Sequence, residues 1–144
     1  MDVKSREEII KFAQKLNSTN LSPLRSGNIS LKAQKNNEEG FLITPSGKKY
    51  ESLKVDDIVF VSLKGKYDEK GLQPSSEWRF HKDIYLKKTD AKAVVHAHSP
   101  HATAVSAHNK DVPAFHYMIA LAGGDNIKCA KYATFGTQEL SDNI

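Results

Sequence analysis

Between Ser5 and Leu16 the apolar residues Ile9, Phe12, Ala13 and Leu16 recur at i, i+3, i+4 and i+7, a spacing that lays them along one side of a helix. Ser5 and Glu8 stand at capping-box spacing ahead of that run, so a helix is predicted over 5–16, stopped by Asn17-Ser18-Thr19-Asn20. Short strands follow at Asn28–Lys32 and Phe41–Ile43, the second running into the turn Thr44-Pro45-Ser46-Gly47. Residues 58–63, Ile-Val-Phe-Val-Ser-Leu, are the strongest strand signal, and their continuous apolar half suggests burial on both faces. A polar hairpin-like stretch, 64–71, leads to Pro74-Ser75-Ser76-Glu77, which opens a helix to about Lys88 with Ser75 or Ser76 as cap and Phe80 and Ile84 on one face. Ala93–His96 is again a strand, and Ser99-Pro100 starts a helix over 100–108. Val112–Ile119 is expected to be a further strand, ended by Gly123-Gly124. Thr137-Gln138-Glu139-Leu140 begins a fresh helix. Helices and strands alternate loosely, which favours a sheet with helices packed on it.

The chain has 144 residues, 39% apolar and 26% charged, which fits one globular domain, 1–144, and excludes a disordered tail. No apolar run approaches the roughly 18 residues of a membrane span. The start, Met1-Asp2-Val3-Lys4-Ser5-Arg6, does not lead into the apolar core of a signal peptide. Cys129 is the single cysteine, so an internal disulfide is ruled out and a cytoplasmic location is expected. The net charge of +4 comes from 21 basic and 17 acidic residues. Lysines mostly alternate with acids, as in Lys64–Lys70, so neither a nucleic-acid partner nor a membrane surface is expected. An anionic small molecule suits the balance as well.

Three local features carry chemistry. On an extended chain residues i and i+2 point the same way, so His96 and His98 in Val95-His96-Ala97-His98 could hold one metal ion, or could be two solvent-facing histidines at a strand end. His101, His108 and His116 could also be ligands, although each alone reads as an ordinary surface or core histidine. Pro74-Ser75-Ser76-Glu77 puts hydroxyls and free N–H groups at a helix start, either an anion site or plain capping. Ser26-Gly27-Asn28 and Thr44-Pro45-Ser46-Gly47 offer the close backbone approach that a phosphate needs, and are also ordinary turns.

The combination is more specific than its parts. Ser-Gly-Asn-Ile-Ser, Ile-Thr-Pro-Ser-Gly, Pro-Ser-Ser-Glu-Trp-Arg-Phe-His, Val-Val-His-Ala-His and Phe-His-Tyr-Met-Ile-Ala occur in that order, and the chain resembles the class II aldolase/adducin family from its first helix to its last residue. The resemblance implies an α/β three-layer sandwich, a central and mainly antiparallel sheet with helices on both faces, assembled as a homotetramer. It implies a zinc-dependent lyase that cleaves a phosphorylated ketose to dihydroxyacetone phosphate and an aldehyde. His96 and His98 match zinc ligands, and Glu77 matches the acid that moves the proton beside the metal. Gly27, Asn28, Ser46, Gly47, Ser75 and Ser76 match the pocket for the substrate phosphate. Tyr117 matches a tyrosine that donates a proton at the aldehyde across a subunit boundary. Sugar-phosphate 4-epimerases and methylthioribulose-phosphate dehydratases share the scaffold, as does the non-enzymatic adducin head, for which zinc ligands would have no use.

Two departures qualify the resemblance. The family's third zinc histidine comes from a His-His-Gly-like segment, and no residue after Ile119 is a histidine. The chain is therefore expected to be the N-terminal part of a longer family domain, inactive alone. Arg25 stands where a small hydroxyl residue is usual, and could add a charge-assisted phosphate contact or mark a different substrate. A fragment lacking its interface helices is expected to expose apolar surface and to be poorly soluble, and light scattering with a thermal melt checks this. A monodisperse, cooperatively melting sample would contradict it.

Overall fold

The computed structural model describes residues 3–144; Met1 and Asp2, which entered the reading of the N-terminus, lie outside the described residues. The elements in chain order are α1 (Val3–Ser18), β1 (Asn28–Lys35), β2 (Glu38–Ile43), β3 (Val59–Ser62), α2 (Trp78–Lys87), β4 (Ala93–His96), α3 (Pro100–Ser106) and α4 (Gln138–Asn143). The four strands form one sheet in the order β3-β2-β1-β4, and every neighbouring pair is antiparallel. Helices cover both faces, giving the α/β arrangement expected from the sequence.

Alternation along the strands sorts the core into two layers. Ile29 of β1 and Leu42 of β2 turn to one face, where Ile9, Ala13 and Leu16 of α1 bury them together with Tyr50, Leu53 and Ile58. Phe41 and Ile43 of β2 and Val61 of β3 turn to the other face, against Tyr85 of α2. Phe41 is fully enclosed, its ring centroid 5.4 Å from Tyr85 and 6.4 Å from the His81 imidazole. The apolar run at 58–63 is thus packed on both sides as expected, yet β3 is an edge strand and antiparallel. Helices on both faces are what the run reports, not a central position.

Several local expectations need correction. The first helix already includes Val3, so Ser5 lies inside its first turn rather than at a cap. Glu77, not Ser75 or Ser76, occupies the N-cap of α2, and its side chain makes no capping bond. Val112–Ile119 is not a strand. Val112 forms one isolated bridge to Ile127, and Tyr117–Ala122 winds into a 3-10 helix ended by Gly123 at φ +85°. Its apolar residues found no neighbouring strand, and Phe115, Tyr117 and Leu121 remain mostly exposed. Thr137 does cap α4, accepting from the Leu140 N–H at 3.2 Å. Among the described residues no helix is long and apolar enough to cross a membrane.

Because Phe41 closes the layer between the sheet and α2, truncation there leaves a cavity beside two aromatic rings. Phe41→Ala is expected to cost about 3–5 kcal/mol of stability, read from the shift in the urea midpoint.

Candidate functional site

The face of the sheet under α2 carries polar residues at one end. Asn28 pairs with His96 and Ser30 with Val94 across β1 and β4, so all four side chains share the α2 face. On α2, Glu77, His81 and Tyr85 are spaced i, i+4 and i+8 and form a stripe toward the same strands. His81 is fully buried, with Nδ1 2.7 Å from Ser30 Oγ and Nε2 2.5 Å from Asn28 Oδ1. Tyr85 OH lies 2.8 Å from the same Ser30 hydroxyl. Asn28 Nδ2 donates to Glu77 Oε2 at 2.7 Å, and that oxygen is 3.3 Å from His96 Nε2.

His96 and His98 Nε2 approach to 2.8 Å, so the i, i+2 pair does converge. The His98 N–H donates to Ser22 Oγ at 3.0 Å, which fixes the chain as it leaves β4. Burial above all, and the neighbouring His98, hold His96 below its ordinary titration range, whereas Glu77 draws it upward. A neutral imidazole is the form that binds a metal, so His96 and His98 have the chemistry of two metal donors. Among the described residues no group of three or more His, Cys, Asp or Glu side chains is arranged to hold a metal by itself. His101, His108 and His116 are exposed surface residues.

Beside the histidines lies a pocket of about 300 Å³, lined by Arg25, Gly27, Asn28, Ser46, Gly47, Ser75, Ser76, Glu77 and His98 among others. Three turns build it, and main-chain bonds stitch them together. Thr44 N donates to Ile29 O at 3.1 Å, Ser46 N to Gln73 O at 2.9 Å and Ser75 N to Thr44 O at 3.0 Å. Gly27 permits the closest approach: a Cβ there would lie 2.7 Å from the His96 carbonyl oxygen and 2.6 Å from Ser22 Oγ. Gly47, at φ +73°, supplies the left-handed turn residue. Arg25 Nη1 donates to the Gly47 carbonyl, tying two of the turns across the pocket mouth. Tyr50 OH donates to the Gly27 carbonyl, and burial, with the Glu77 charge adding to it, pushes this phenol up to about 12.

The structure therefore brings together Arg25, Gly27, Asn28, Ser46, Gly47, Ser75, Ser76, Glu77, His96 and His98. It leaves Tyr117 outside the pocket, 79% exposed and against His116. The Asn28 amide is engaged at both ends, by His81 and Glu77. Sequence reasoning missed His81 and Tyr85, for which the i, i+4, i+8 stripe was the available signal. It also missed Tyr50, Lys48 and Phe135 in the lining. Lys48 is engaged by Asp57 at 2.6 Å. A larger groove of about 470 Å³ near Arg6, Asp56 and Lys66 gathers mixed charge without a converging donor set.

Residues 7–144 match the class II aldolase and adducin N-terminal domain. The chain belongs to this family. It is 48% identical over 141 residues to an L-fuculose phosphate aldolase of Escherichia coli K12, covering 98% of this chain and 63% of the relative. It is 43% identical over 136 residues to a 5-methylthioribulose-1-phosphate/5-deoxyribulose-1-phosphate aldolase of Rhodospirillum rubrum, covering 94% and 59%. A solved L-fuculose 1-phosphate aldolase superposes with a TM-score of 0.90 at 37% identity, covering 99% of this chain and 66% of that one. The L-fuculose-1-phosphate aldolase of Thermus thermophilus gives 0.77 at 26% identity, covering 97% and 68%. The chain thus spans somewhat under two thirds of the length of the curated relatives it matches.

Burial holds His81 down at about 3, with repulsion from His96 as the lesser cause. Its ordinary value is near 6.5, so between those limits the unfolded chain binds a proton that the native site refuses. Stability is expected to be full above pH 6.5 and to fall as pH drops toward 3, by at most about 1.4 kcal/mol per pH unit from this group. Urea midpoints from pH 7.5 to 4 check the slope, which His81→Gln should flatten.

Proposed function

We propose that the protein carrying this sequence is a zinc-dependent aldolase that reversibly cleaves a phosphorylated ketose, L-fuculose 1-phosphate or a close analogue, to dihydroxyacetone phosphate and an aldehyde. The observation that carries the reading is the Glu77 carboxylate, 3.3 Å from His96 Nε2, at the wall of a pocket built from three small-residue turns. The curated relatives include aldolases named for three different phosphorylated ketoses, which supports the substrate class.

Balance assigns the protein groups their tasks. In the cleavage direction the hydroxyl beside the scissile bond gives up its proton, the carbon–carbon bond breaks, and the carbon next to the carbonyl takes a proton. Glu77 gives and takes that carbon-bound proton. The turns at Gly27, Ser46–Gly47 and Ser75–Ser76 hold the phosphate, with the serine hydroxyls as donors and Arg25 adding charge. Binding energy gained there, away from the reacting carbons, orients the substrate. Bound at His96 and His98, zinc would supply Lewis-acid stabilisation of the negative charge that develops beside the carbonyl. Tyr117 from a neighbouring copy of a homotetramer exchanges the proton at the aldehyde oxygen, in keeping with its exposure on this chain. A cytoplasmic site of action agrees with a phosphorylated metabolite as substrate.

The test is release of dihydroxyacetone phosphate from L-fuculose 1-phosphate by the intact protein, together with its zinc content. About one zinc per chain is expected, as in catalytic sites with an open position. Chelation should abolish turnover, and Glu77→Gln should lower kcat by about 100-fold or more with substrate affinity retained. Epimerised or dehydrated products would point to the related chemistries on this scaffold. Absence of both zinc and turnover would favour a binding role. The 144-residue chain alone is expected to turn over little, because among the described residues two imidazoles and one carboxylate meet at the site, without a third imidazole.

A further inference from the structure

We infer that His81, which does not itself line the pocket, is a positioning residue that fixes the Glu77 carboxylate through Asn28. The inference rests on the reading of Glu77 as the proton-transferring group.

The direction of each hydrogen bond follows from what its partner can do. The Glu77 carboxylate accepts only, so the group of Asn28 that faces it at 2.7 Å is the NH2. The Asn28 carbonyl oxygen is thereby turned to His81, and Nε2 of His81 is the donor. Nδ1 is left as an acceptor, which Ser30 Oγ–H serves at 2.7 Å, and the Tyr85 hydroxyl donates in turn to Ser30. Every member has one orientation available, and the chain ends on one oxygen of one carboxylate. Ser30 and His81 are fully buried and Tyr85 and Asn28 nearly so, so no water competes for these bonds. A histidine needed only to fill space beside Phe80 and Phe41 would require neither nitrogen. Removing the Nε2 donor leaves the buried Asn28 oxygen without its partner, so the amide is no longer held from both ends and Glu77 loses its fixed donor position.

The experiment combines an NMR readout with isotope exchange. Long-range proton–nitrogen spectra of the histidine rings should show His81 as the Nε2–H tautomer, and the Nδ1–H form would overturn the inference. Exchange of the carbon-bound proton of dihydroxyacetone phosphate with deuterated solvent then isolates proton transfer in the intact, zinc-loaded protein. His81→Phe should slow exchange by about 10–100-fold while KM and zinc content stay near wild type. His81→Gln, whose amide can donate to Asn28, should recover most of that loss. Equal losses in the two variants, or wild-type exchange in His81→Phe, would show that packing alone is at stake and sink the idea. If His81→Phe does not melt cooperatively, Ser30→Ala decides. It removes only the donor that fixes Nδ1 and should slow exchange by up to about 10-fold, against no change if the inference is wrong. Glu77→Gln separates the two levels, since normal exchange in that variant would remove the underlying reading itself.

Discussion

A side-chain amide shut between a strand and a helix cannot be left unpaired, because its lost hydration is worth about 1–3 kcal/mol for each group without a partner. Asn28 is that amide, 3% exposed, and its two ends bind His81 and Glu77 at the start of α2. The packing of α2 on β1 and the aim of the carboxylate are therefore one constraint. Shifting the helix along the sheet would break the His81–Ser30 and Glu77–Asn28 contacts together. β4 is bound into the same arrangement, since His96 stands opposite Asn28 in the ladder and directly beside Glu77.

The pocket beside it rests on a different kind of constraint. Its walls are turns, which elsewhere are the most variable parts of a fold. Here main-chain bonds from Thr44 to Ile29, Ser75 to Thr44 and Ser46 to Gln73 lock the turns to one another and to β1. The absence of a Cβ at Gly27 lets the first turn lie against the His96 carbonyl, so the pocket and the histidine pair are built at a fixed separation. Arg25 and Tyr50 then engage the carbonyls of Gly47 and Gly27, which ties these turns together at the pocket.

Much of this was legible in the chain itself. The 3.6-residue period marked α1, the extended apolar runs marked the strands, and the ordered motifs marked the family. The failures are equally instructive. Val112–Ile119 has the residue types of a strand, but a strand requires a neighbour with free backbone groups, and only Ile127 answers Val112. A cap is expected at Ser75 or Ser76, but Glu77 takes the N-cap position and the Ser75 hydroxyl accepts weakly from its N–H at 3.4 Å.

What the sequence determined by itself was the inventory and its local geometry. Two imidazoles at i, i+2, a carboxylate at a helix start and small residues at three turns all depend on spacing within a few residues. What only the tertiary structure decided was which of these groups meet and in what role. Glu77 and Asn28 are separated by 49 positions, and His81 and Ser30 by 51. No local period links them. The antiparallel register of β1 and β4 and the seating of α2 bring them into contact, and burial turns His81 from a core residue by composition into the one that sets the orientation of Asn28. Residues with two polar ends acquire a direction only when both partners are in place, and that information belongs to the packed molecule.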